Sequence, residues 1–153
     1  FQYDAPDSSL AANSGRAFPS GGDRLRGSLG PAQLNHADEL ANTVQRIQGA
    51  GGTVEFRAGT LAFSPTRGAP GKVILDPNAS ISAVRHEAGH FFDDIGLGSP
   101  GMGYYMQNPS VRWASEYSSY MREIRAARLI GERDAARALL WDARAEKTAI
   151  FGR

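Results

Sequence analysis

His86 and His90 stand four residues apart in the run His86-Glu87-Ala88-Gly89-His90, and side chains of these types at this spacing can bind a metal ion and move a proton. On a helix, residues four apart share one face, about 6 Å apart along the axis at a rise of ~1.5 Å per residue. Two imidazole nitrogens so placed can reach one Zn²⁺ at bond lengths of about 2.0–2.1 Å. Glu87 is one step on from the first imidazole and cannot join that pair without strain. It is placed to contact a water in the open fourth position, take its proton and pass it to a leaving amine.

Such chemistry needs a helix with one anchored side. Val84, Ala88, Phe92 and Ile95 recur at spacings of four, four and three, with Phe91 flanking, which makes an apolar stripe beside the histidine face. The stripe can enter a core while the histidines face a cleft. Asp76-Pro77-Asn78-Ala79-Ser80 supplies helix-start chemistry, and Gly96 with Gly98 supplies the stop. Gly89 costs about 1 kcal/mol in a helix interior and predicts that something packs closely there.

From Ile74 to Ile95, where a hydrophobic run leads into this helix, the chain resembles the zincin superfamily of zinc metallopeptidases, whose active-site helix carries H-E-x-x-H. The resemblance implies that His86 and His90 are zinc ligands and Glu87 the catalytic base. It also implies an α+β, zincin-like fold of an N-terminal helix, a small mixed sheet, the active-site helix and C-terminal helices. The metzincin variant needs a third histidine soon after the motif, and the remaining one, His36, lies fifty residues upstream. With no cysteine in the chain, a deformylase-type site is excluded too.

A carboxylate is left as third ligand. Asp93 and Asp94 follow on the same helix, but eight residues from His86 to Asp94 span ~12 Å of axis, too far for all three to close on one ion. Asp94 suits a supporting role, orienting an imidazole from behind. Asn108-Pro109 caps a following helix, which runs from Ser110 to about Ile130 on the spacing of Val111, Ala114, Tyr117, Met121, Ile124 and Ala127. Glu116 lies there among Trp113, Tyr117 and Tyr120, where an unpaired buried carboxylate is costly. Gluzincins draw such a glutamate from a downstream helix. Glu116 is the expected ligand, with Glu123 the runner-up on the same face. Three tyrosines, Tyr104, Tyr105 and Tyr120, are candidates to donate to the oxyanion of a tetrahedral intermediate, and Tyr120 is carried forward.

At 153 residues and 41% hydrophobic, the chain can bury one core. A net charge of +1 gives no strong pull toward nucleic acid or anionic membrane, and no apolar run approaches the ~18 residues that span a bilayer. Residues 1–30, rich in Gly, Pro, Ser, Asp and Asn, read as a linker or irregular arm, and 31–153 as the zincin-like domain. Leu34 to Ile47 predicts an amphipathic helix ending at Gly49-Ala50-Gly51-Gly52. Three β-like runs follow (Thr53–Arg57, Thr60–Ser64, Lys72–Leu75), and Thr60–Ser64 or Lys72–Leu75 is the expected edge for an extended peptide. Gly96 to Pro109 reads as a lid-like loop, and Glu132 to Lys147 as a last helix.

The expected activity is hydrolysis of peptide bonds in a peptide or protein substrate. The alternatives are a zinc hydrolase acting on a non-peptide amide or ester, and a non-catalytic zinc-binding interaction module. The chain opens on Phe1, which fits a piece of a longer product. Its layout is similar to metallopeptidase toxin or effector domains of bacterial polymorphic toxins. That likeness implies secretion or delivery into a target cell as part of a larger protein, with an immunity protein as partner.

Overall fold

The computed structural model describes residues 16–17 and 22–152, and these form an α+β domain. Its strands are β1 (Arg16–Ala17), β2 (Thr53–Phe56), β3 (Thr60–Thr66) and β4 (Ala69–Leu75). Its helices are α1 (Arg26–Leu29), α2 (Ala32–Asn35), α3 (Ala37–Gly49), α4 (Ile81–Gly96), α5 (Met102–Gln107), α6 (Pro109–Leu129) and α7 (Arg133–Phe151).

Three strands make a small mixed sheet, and the two-residue β1 adds to one side in the order β1-β3-β4-β2. The hairpin β3–β4 is antiparallel, with Phe63 opposite Val73 and a turn at Arg67-Gly68, where Gly68 takes φ +79°. β2 joins the other side of β4 in parallel, with Val54 opposite Val73. Lys72–Leu75 is therefore interior to the sheet, paired on both sides, which corrects its assignment as a candidate edge. Thr60–Ser64 has β1 against Thr60 and Leu61.

Apolar side chains fall into two clusters. One joins Phe63, Val73 and Leu75 of the sheet to Val84, Ala88 and Phe91 of α4 and Ile47 of α3. Phe63 and Phe91 meet edge-to-face, with ring centroids 6.1 Å apart. The other is built by α6 and α7, where Ala127, Ala135, Ala136 and Ala143 let the helices close on Ile124 and Leu139. Leu25 and Tyr120 complete it. Among the described residues, no helix is long and apolar enough to cross a membrane.

Local chemistry fixes where α4 begins. Asp76 accepts from the backbone N–H of Asn78 at 2.7 Å and of Gly59 at 2.6 Å, which pins the exit from β4. Ser80 is the N-cap, its Oγ accepting from the Ala83 N–H at 3.2 Å. Ser80 is itself held by buried Asp23, which accepts from its N–H and its hydroxyl at 2.7 Å each. Further along α4, a Cβ on Gly89 would lie 2.7 Å from Arg122 Nη1 and 2.9 Å from Ser119 Oγ. A side chain at 89 would have to displace the Arg122 guanidinium and the Ser119 hydroxyl.

Several boundaries differ from the sequence reading. Of the arm expected over residues 1–30, residues 1–15 and 18–21 lie outside the described residues, while Asp23 and Leu25 are buried in the domain. The helix expected from Leu34 begins at Ala37, because His36 adopts φ −141° and separates α2 from α3. The Gly96–Pro109 segment contains α5, and the last helix continues to Phe151. Replacing Asp23 by alanine would leave a buried Ser80 N–H without its acceptor. Asp23→Ala is expected to cost about 1–3 kcal/mol in urea denaturation, and an unchanged midpoint would show that the segment before residue 30 does not support α4.

Candidate metal centre

The face of α4 that carries His86, Glu87 and His90 is buried against α6, and no residue of the three exceeds 2% exposure. From α6, Glu116, Ser119, Tyr120 and Glu123 reach the same seam, at steps of three, one and three residues. Helical periodicity therefore supplies two facing rows of polar side chains where helices ordinarily meet through apolar ones.

Within the seam, Glu116 lies astride the two histidines. Its Oε2 is 3.3 Å from His86 Nε2, and its Oε1 is 3.2 Å from His90 Nε2. One atom from each residue can be chosen so that all three lie within 4.8 Å of one another. Ligand atoms at 2.0–2.1 Å from a shared tetrahedral ion sit ~3.3 Å apart, close to the two Glu116–histidine distances. The buried group His86, His90 and Glu116 could hold a metal ion.

Proton accounting points the same way. His86 Nδ1 is 2.5 Å from Glu123 Oε1, and Ser82 Oγ donates to Glu123 Oε2 at 3.1 Å. A carboxylate only accepts, so Nδ1 carries a proton toward Glu123, and a second ring proton on Nε2 would be donated to Glu116. Either that proton or a bound cation can lie between Nε2 and Glu116. Burial alone would lower the basicity of His86, but Glu116 and Glu123 outweigh it and push its pKa up to about 9. Burial also works to raise the Glu116 carboxyl, yet His90 and His86 hold it well below the usual carboxylate range. Both shifts describe a site that attracts positive charge.

Glu87 stands apart from this set. It is 2% exposed, and its Oε2 has no hydrogen-bond partner. A carboxylate oxygen in that condition is costly, and it leaves an acceptor free for a group the protein does not supply.

Among the other residues singled out from the sequence, Glu123 backs His86 and is not one of the three grouped ligands. Asp94 does not orient an imidazole: it accepts from the Tyr105 hydroxyl at 2.5 Å. Burial raises the pKa of this carboxyl, and the Tyr105 hydrogen bond works against that. Tyr105 is thus committed to Asp94, and Tyr104 is 38% exposed with its ring against Tyr105. Tyr120 packs its ring edge-on against His86, with centroids 4.7 Å apart. His36 lies outside the grouped ligands, at the junction of α2 and α3. Sequence reasoning missed Ser115, whose Oγ is 2.8 Å from His90 Nδ1 and donates to Asp93 Oδ2 at 2.7 Å. It also missed Ser119, which donates to the His86 carbonyl at 3.1 Å. The available signal was their spacing of four along α6, on the face that carries Glu116 and Glu123.

Comparison with protein-family models, curated proteins and solved structures finds no match to this chain.

Metal titration of the dialysed protein is expected to show a single tight divalent site and a rise in Tm on loading. Glu116→Ala should weaken that site by more than the ~10–100-fold typical of groups behind a ligand, and His86→Ala and His90→Ala should do the same. Unchanged affinity in Glu116→Ala would remove it from the coordination shell.

Proposed function

We propose that this chain is a zinc-dependent peptidase of the zincin kind, with His86, His90 and Glu116 as metal ligands and Glu87 as general base. The observation that carries the reading is the buried three-residue group together with an adjacent carboxylate whose Oε2 is unpartnered. Two imidazoles and one carboxylate form a ligand set that suits zinc and leaves a coordination position open for reaction. When bound there, zinc lowers the pKa of a coordinated water and polarises a carbonyl oxygen.

The protein's own groups account for the proton traffic. Glu87 Oε2 accepts a proton as a water oxygen bonds to the scissile carbonyl carbon. The same carboxyl returns that proton to the departing amide nitrogen as the carbon–nitrogen bond breaks, giving a carboxylic acid and an amine. Burial strengthens this step, because a carboxylate shielded from bulk water interacts more strongly with developing charge. Tyr120, with its ring against His86, is the proposed donor to the oxyanion, since Tyr105 is committed to Asp94. Glu123 orients His86 from behind.

Amide and ester hydrolysis outside peptides would use the same groups, and the preference for peptides rests on the H-E-x-x-H helix and the near-neutral charge of the chain. Delivery as the effector part of a larger secreted protein, with an immunity protein as partner, is a proposal from the sequence layout and plays no part in the mechanism.

Glu87→Gln tests the reading. The amide preserves shape but cannot accept the proton, so the variant should bind metal as the parent does and lose ~10²–10⁴-fold in peptide-cleavage rate. Cleavage at the parental rate would remove Glu87 as the base. Tyr120→Phe is expected to reduce kcat by ~10²–10³-fold, the usual cost of one oxyanion donor, with metal affinity maintained.

A further inference from the structure

The two histidines are held from behind by unlike devices. His86 Nδ1 meets the carboxylate of Glu123 directly, deep in the seam, where Glu123 is 4% exposed. His90 Nδ1 meets a hydroxyl instead, Ser115 Oγ at 2.8 Å, and that hydroxyl lies 2.7 Å from Asp93 Oδ2. Ser115 comes from α6, while Asp93 is three residues beyond His90 on α4. The relay therefore crosses the helix seam and returns.

Hydrogen counting gives the relay a direction. A serine hydroxyl owns one hydrogen and a carboxylate owns none, so the Ser115 hydrogen goes to Asp93. Ser115 Oγ must then accept from the ring, which puts the proton of His90 on Nδ1 and leaves the Nε2 lone pair toward Glu116. We propose that Asp93 and Ser115 are positioning residues that fix the tautomer and ring orientation of His90, acting as one unit whose controlling member is Asp93. The inference rests on the metal-centre reading only in taking His90 as a ligand.

Asp93, unlike Glu123, also borders open grooves. It lines a groove of about 490 Å³ on the outer side of α4, together with Arg46, Phe92 and Arg122. It lines a second groove beside Ser115, Val111 and Ala114. Glu123 lines a cavity of about 30 Å³. The hold on His86 is sealed within the core, whereas the hold on His90 is open to the surroundings, so His90 is the ligand whose grip depends on what Asp93 experiences.

Asp93→Asn separates this role from simple packing. The asparagine amide can donate to Ser115 Oγ, which frees the Ser115 hydrogen for His90 Nδ1 and moves the ring proton to Nε2, where it blocks coordination. Long-range ¹⁵N–¹H correlation spectra of the metal-free chain read which ring nitrogen carries the proton, without substrate or turnover. The parent should show His90 protonated on Nδ1, and Asp93→Asn should shift it to Nε2, with the His86 signals unmoved as the control for folding. Zinc affinity, measured by competition with a chromophoric chelator, should fall about 10–100-fold in Asp93→Asn and in Ser115→Ala. Ser115→Thr, which keeps the hydroxyl, should restore it to within about threefold. Unchanged His90 tautomer and zinc affinity in Asp93→Asn would overturn the relay. A chain that binds no zinc but shows the tautomer shift would sink the metal reading and leave the relay standing.

Discussion

The close approach of α4 and α6 at Gly89 is the constraint on which the rest of the structure depends. A side chain there would meet Ser119 and Arg122 at less than contact distance, and a wider separation would pull Glu116 away from both imidazoles. Helices packed through apolar residues stand 8–10 Å apart with tolerance for repacking. This pair instead meets through small and polar groups whose hydrogen bonds tolerate only tenths of an ångström. Gly89 gives up about 1 kcal/mol of helix propensity, and the return is a set of polar contacts between α4 and α6 running from Ser82 to Ser115.

That set has an unusual electrostatic character. Glu87 of α4 and Glu116 and Glu123 of α6 are all buried, and burying like charges together is unfavourable unless positive charge answers them. The imidazoles answer part of it, which is why His86 is driven strongly basic. A divalent cation at the three-residue group would answer more. An apolar seam of the same size would stabilise the helix pair more simply.

The sequence exposed the parts of this design that depend on local periodicity. The four-four-three stripe from Val84 to Ile95 and the Ser80 cap locate α4, because both act within one or two helical turns. Glu116 was legible for a related reason: an acidic side chain on the inward face of a helix, among aromatic residues, needs a partner. What could not be read were the partners themselves. Whether Asp93 or Asp94 serves a histidine is decided by a rotation of ~100° per residue about the helix axis, combined with where α6 crosses, and neighbouring positions look alike in sequence. Ser115 and Glu123 became visible as supports only once the crossing was known. Sheet order was hidden in the same way: the central position of β4 follows from parallel pairing with β2 across the intervening β3 hairpin, which no nearest-neighbour pattern encodes.

The division of the apolar residues into two clusters has a consequence for how the molecule holds its shape. One cluster centres on the sheet, α3 and α4, and the other on α6, α7 and Leu25, with Leu29 packed against both and Val111 of α6 against the first. Oil-like attraction consolidates each half but is indifferent to how far one slides along the other. Directional polar bonds across the α4–α6 seam add axial registry, and a slip of one helical turn, ~5.4 Å, would break all of them at once. The seam therefore works as a keyed joint, admitting one alignment and no gradual series of neighbours.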